Sequence, residues 1–195
     1  MTRILTAALC LMANGALACP TAADMTQGVR FTLATDEVET FRLLESGIIQ
    51  GDFFIDETDV LRTFIARGIY LVETYSLQNG VREAGTRFAY AYPVDVAQLP
   101  APTPGGGWAG TVVQLEGTNL ENEAHDYRFG AQTTQSYGAC TYQMIPVTVL
   151  YPDDVETNQR EVLHYLPELG LSYLAEFSDK DYDEVYSYTQ IEVIQ

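Results

Sequence analysis

Positive charge is what this chain lacks most. Of 195 residues only 10 are Lys or Arg, against 27 Asp or Glu, for a formal net charge of −17. Lys180 is the sole lysine. A polyanion of this kind is repelled by phosphate backbones and by anionic membrane surfaces, so nucleic acid is excluded as a partner. The acidity itself serves solubility; cation binding is the sharper alternative.

Histidine and cysteine are nearly as scarce. The two histidines, His125 and His164, belong to no His-Glu-x-x-His motif, and no cysteine pair has zinc spacing. Both read as structural or surface residues, with His164 on the polar face of a strand. No Gly-x-Ser-x-Gly elbow is present, and "PGGGWAG" lacks the Lys-Ser/Thr of a phosphate loop. No cofactor is implied. No apolar run after the N-terminus is long enough to span a bilayer, which takes about 20 residues.

What is present begins with an export signal over residues 1–18. Arg3 supplies the positive start, "ILTAALCLMA" (4–13) the apolar stretch, and Ala16-Leu17-Ala18 the small-x-small cleavage pattern. The expected location is the periplasm or outside the cell. Arg3 and Cys10 leave with the signal, so the mature chain keeps all its acids and two cysteines, Cys19 and Cys140. Two cysteines in an exported chain most simply form one disulfide. The alternative is a lipid on Cys19, which would anchor the protein and leave Cys140 as a lone thiol. Ala16 and Leu17 make a poor lipid-attachment signal.

The mature chain reads as all-β. Its 13 Tyr and 8 Phe, with many Val, Ile and Thr, suit pleated surfaces. In "VRFTLA" Val29, Phe31 and Leu33 share a face, and in "TRFAYAYP" Phe88, Tyr90 and Tyr92 do. "CTYQMIPVTVLYP" and "VYSYTQIEVI" alternate similarly. Turn signals at Thr35-Asp36, Arg67-Gly68, Asn79-Gly80 and Gly138 separate the runs, which predicts antiparallel meanders. Residues 57–66 fit either a strand or a helical turn.

"QLPAPTPGGGW" divides the chain, giving an N-terminal β half over 19–97, a Pro/Gly-rich linker over 98–107 and a C-terminal β half over 108–195. The halves look related. In "DVLRTFIARGIYLVETY" (59–75) and "EVLHYLPELGLSYLAEF" (161–177), Val60, Leu61 and Gly68 match Val162, Leu163 and Gly170 at one constant offset. Two such hairpin-bearing halves predict a half-barrel, a barrel-like sheet or a sandwich.

Chemistry-bearing clusters are few. "SDKDYDE" places Asp179, Asp181 and Asp183 at alternate positions, a candidate calcium site. Counted from Asp179, however, the sixth and twelfth residues are Glu184 and Gln190, which do not fit an EF-hand loop. A hydrolase working through Glu176, Asp179 or Asp181 would need a cleft with converging carboxylates. A groove between the halves, lined by the tyrosines, would hold a small apolar ligand, a sugar or a peptide; otherwise the rings fill an ordinary core.

"CPTAAD" (19–24), "GACTYQMIPV" (138–147) and "LHYLPELGLSYL" (163–174) together resemble a loose group of uncharacterised exported β-rich proteins of Gram-negative bacteria. The resemblance implies that the first mature cysteine pairs with the one in "GAC"; it carries no activity. "YLPELGLSY" is also similar to hairpins of periplasmic lipoprotein-carrier half-barrels. The expectation is therefore a non-enzymatic exported β protein with a structural or ligand-binding role. A hydrolase, a calcium-stabilised surface protein and a lipid-anchored protein are the alternatives.

Overall fold

The computed structural model describes residues 18–195. The export signal, apart from Ala18, lies outside the described residues. The chain is all-β, with two short 3-10 turns at Ala22–Thr26 and Val96–Gln98 and no α-helix among the described residues. The N-terminal half supplies β1 (Val29–Leu33), β2 (Val38–Leu43), β3 (Ile49–Phe54), β4 (Asp59–Ala66), β5 (Tyr70–Gln78), β6 (Val81–Arg82) and β7 (Phe88–Ala91). The C-terminal half supplies β8 (Gly107–Glu116), β9 (Asn119–Phe129), β10 (Thr133–Tyr137), β11 (Cys140–Leu150), β12 (Arg160–Leu166), β13 (Leu171–Ser178), β14 (Asp183–Val185) and β15 (Tyr188–Val193).

These strands form one antiparallel sheet in the order β14-β13-β12-β11-β9-β8-β7-β5-β4-β3-β2-β1-β15, with β10 beside β11 and β6 beside β5. The order is nearly that of the sequence because short turns join most neighbours. Positive-φ residues make those turns: Asp36, Arg67-Gly68, Asn79-Gly80, Gly117 and Gly138. Residues 57–66, open between helix and strand from sequence, contain strand β4.

The sheet continues across the Pro/Gly-rich segment, since β7 pairs with β8 from Phe88↔Glu116 to Ala91↔Val113. That segment lies against the sheet: Leu99 is buried and the Tyr70 hydroxyl donates to the Pro100 carbonyl at 2.9 Å.

The sheet curls without closing into a barrel. Its curl brings Phe31 of β1 against Tyr137 of β10, Tyr173 of β13 and Tyr188 of β15, with ring centroids 5.4–5.7 Å apart. Residues 183–193 cross the gap between the sheet's ends, β14 pairing with β13 and β15 with β1. A second cluster packs Tyr70, Tyr92, Trp108 and Tyr127 around Leu99.

Hairpins β4–β5 and β12–β13 each carry a bulge, between Phe64 and Ile65 and between Val162 and Leu163. Their turns meet. Ser172 Oγ donates to the Gly68 carbonyl at 2.6 Å, and a Cβ on Gly68 would stand 2.3 Å from the Gly170 carbonyl oxygen. Only glycine tolerates both that approach and the φ of 77° at Gly68.

Cys19 and Cys140 are joined, S–S 2.06 Å and Cα–Cα 5.5 Å, across 121 residues of sequence. Beside the bond, the Tyr142 hydroxyl donates to the Pro20 carbonyl at 2.8 Å. A sulfur bound in a disulfide has no valence left for a thioether lipid. No helix among the described residues is long and apolar enough to cross a membrane.

Candidate functional site

The curl leaves a cavity of about 350 Å³ inside the sheet, between the N-terminal and C-terminal strands. Alternation on the strands decides what faces it. Leu61 and Ile65 of β4, Leu71 of β5, Val149 of β11 and Leu163 of β12 give apolar walls. A larger hollow near Asp36 and Phe54 is an open surface depression, and the more sheltered cavity inside the curl is the stronger candidate.

Polar groups enter from strands distant in sequence. On β9, Glu123, His125 and Tyr127 alternate onto the inner face, so an acid and a histidine point where apolar side chains would normally sit. His125 is 4% exposed. Its Nε2 lies 2.8 Å from Glu123 Oε1. Its Nδ1 is buried and has no hydrogen-bond partner. The ring packs against Tyr151, Tyr90 and Tyr127 at centroid distances of 5.0, 5.9 and 6.0 Å.

Glu161 of β12 joins them. It accepts from the Tyr151 hydroxyl at 3.0 Å and from Gln159 Nε2 at 2.9 Å. Burial holds its carboxyl above the ordinary carboxylate range, opposed by those two hydrogen bonds. Burial likewise pushes the Tyr90 hydroxyl up to about 12 and that of Tyr151 well above its usual value. Glu39 of β2 lines the cavity as well, accepting from the Tyr188 hydroxyl at 2.5 Å. Burial raises its carboxyl to about 7, with a smaller contribution from the Asp52 charge. The lining thus holds three glutamates and no Lys or Arg.

The residues singled out from sequence lie elsewhere. Asp179 spends its Oδ1 on its own loop, accepting from the backbone N–H groups of Asp181 and Tyr182 at 2.8 Å each. Asp183 begins β14. Among the described residues no group of three or more His, Cys, Asp or Glu is arranged to hold a metal ion. Glu176 pairs with Arg160 at 3.2 Å. His164 is half-buried, with Nδ1 3.0 Å from the Tyr173 hydroxyl, and burial lowers its pKa. Of the named residues, Cys19 and Cys140 are joined covalently, while Asp179 meets Asp181 only through a backbone N–H within their loop.

Glu39, Glu123 and Glu161 are not among the residues the sequence singles out, and His125, which reads from sequence as structural or surface, is buried in the cavity lining. The local signal was "ENEAHDYRF", where Glu123, His125, Tyr127 and Phe129 fall on one strand face; a polar pair at the head of an aromatic stripe marks a cavity-facing strand.

The chain matches no protein-family model, no curated protein and no solved structure. What the site does has to be argued from its own chemistry.

Proposed function

We propose that this is an exported β protein that holds a small, largely apolar ligand inside its curled sheet. The observation that carries the reading is the partly enclosed cavity inside the curl, where apolar side chains meet the polar cluster of Glu123, His125 and Glu161, with His125 Nδ1 buried and unpartnered beside it. Ligand sites combine such walls with a few converging polar groups, and a lone buried nitrogen without a partner costs about 1–3 kcal/mol unless a ligand supplies one. The export signal, the disulfide and the acidic surface support a soluble life in an oxidising compartment.

Native mass spectrometry of the mature protein, incubated with lipid and glycan extracts of the host cell, tests the reading. A bound mass is expected, and Leu61→Trp should abolish it. Leu61 lines the cavity while 38% exposed, so a larger ring there fills the entrance at little cost to folding. No adduct with any extract refutes ligand capture.

A second reading rests on Glu39 and Glu161, two cavity carboxyls held above their ordinary range. Such groups suit an acid–base hydrolase, and they replace the Glu176, Asp179 and Asp181 suggested by sequence. The same incubation separates the two readings. A hydrolase depletes a component of the extract and yields new, smaller masses; a binding protein returns its ligand unchanged.

A further inference from the structure

Around His125 the cavity offers more acceptors than free donors, the Tyr90 hydroxyl keeping its proton free while its oxygen accepts from Gln114. Glu123 and Glu161 are carboxylates with further lone pairs, and the Tyr151 hydroxyl already gives its proton to Glu161. The Glu123 carboxylate accepts from Nε2–H, so in the neutral imidazole Nδ1 is a bare lone pair. A ligand that pairs Nδ1 and the two carboxylates must donate to them. Three tyrosine rings pack within 6.0 Å of the His125 ring, and aromatic rings attract cations over their faces. With three glutamates and no Lys or Arg in the lining, an anionic head group meets no counter-charge.

Resting on the reading of the cavity as a ligand site, we infer that the ligand is an amine: an apolar body carrying a protonated nitrogen, received by His125 Nδ1, Glu123 and Glu161. The ammonium gives its protons to the unpartnered nitrogen and to the two carboxylates. It stacks against Tyr90 and Tyr151 while its hydrocarbon lies along Ile65, Leu71 and Leu163. The carboxylates, costly to bury alone, gain their counter-charge.

Three ligands of one length separate this inference from the reading beneath it. Titration calorimetry at pH 8 and 150 mM salt compares n-octylamine, 1-octanol and octanoate. Octylamine is expected to bind about tenfold or more tighter than octanol, from the desolvated cation and its new hydrogen bonds, with octanoate weakest. Glu161→Gln should remove most of the amine's advantage and leave octanol unchanged; Asp179→Asn, on the outer surface, should alter neither. In ¹⁵N spectra the His125 Nδ1 resonance should move on adding octylamine, which attraction to the acidic surface would not produce. Equal binding of amine and alcohol, or tighter binding of octanoate, overturns the amine and keeps the apolar site. No binding of any of the three overturns both.

Discussion

Gly68→Ala should be the most damaging single-methyl change in the molecule, for reasons the two meeting hairpins make quantitative. Placing a Cβ at a φ of 77° costs about 1–2 kcal/mol by itself. At Gly68 that Cβ also stands 2.3 Å from the Gly170 carbonyl oxygen and 2.9 Å from the Tyr165 ring. The first of these is backbone, so the turns must part by roughly 1 Å to reach ordinary contact. Parting them breaks the buried bond from Ser172 Oγ to the Gly68 carbonyl, worth about 1–3 kcal/mol once its groups are left unpaired. The expected loss is about 2–5 kcal/mol. Gly80→Ala is the internal control, since Gly80 has nearly the same φ, 76°, with nothing near its would-be Cβ. It should lose only the strain of about 1–2 kcal/mol. Urea unfolding followed by Trp108 fluorescence measures both, the single Trp being packed in the second aromatic cluster. The two variants differ by the ~1–3 kcal/mol of the lost hydrogen bond, so with a slope of about 1–3 kcal/mol per molar urea their midpoints should differ by about 1 M. Midpoints within about 0.3 M of each other would show that the hairpin turns do not bear on one another, and the account of the curl would fail with them.

Glu39→Gln should stabilise the protein above neutral pH. The native carboxyl titrates at about 7, above its ordinary 4.5, so the fold disfavours the charged form and stability falls as pH rises from about 4.5 through 7. The full shift corresponds to about 3 kcal/mol, an upper figure because the side chain is only half-buried. Variant and parent should have similar urea midpoints at pH 4.5 and diverge by pH 8, the amide still accepting from Tyr188; parallel midpoints at both pH values would refute the burial argument. Reduction of the Cys19–Cys140 bond, which closes a loop across 121 residues, should cost up to about 5 kcal/mol by loop entropy, seen as a lowered midpoint in reductant. Thiol labelling of the mature protein without reductant should find no free cysteine.

Much of the fold was legible because its rules are local. Val29, Phe31 and Leu33 alternate with Arg30 and Thr32, and all three are buried. The turns at Arg67-Gly68 and Asn79-Gly80 announced themselves because tight hairpins demand positive φ. Cys19 and Cys140 paired by simple count. The curl was not legible, since Phe31 meets Tyr137 and Tyr173 through the accumulated twist of many strands, which no short stretch of sequence encodes.

The site was hidden by that same curl. Its polar residues come from β9, the turn after β11 and β12, and each looks ordinary alone: a histidine in a charged stretch, a glutamate opening a strand. Acids crowded in sequence drew the eye to Asp179, Asp181 and Asp183, yet crowding in an exposed loop lets water and backbone N–H groups satisfy them. Glu123 and Glu161 stand far apart in the chain and are brought by β9 and β12, on either side of β11, into a half-buried space that limits their access to water. Groups deprived of water seek another partner, which is why a sparse set of inward-facing acids says more about function here than the dense set outside.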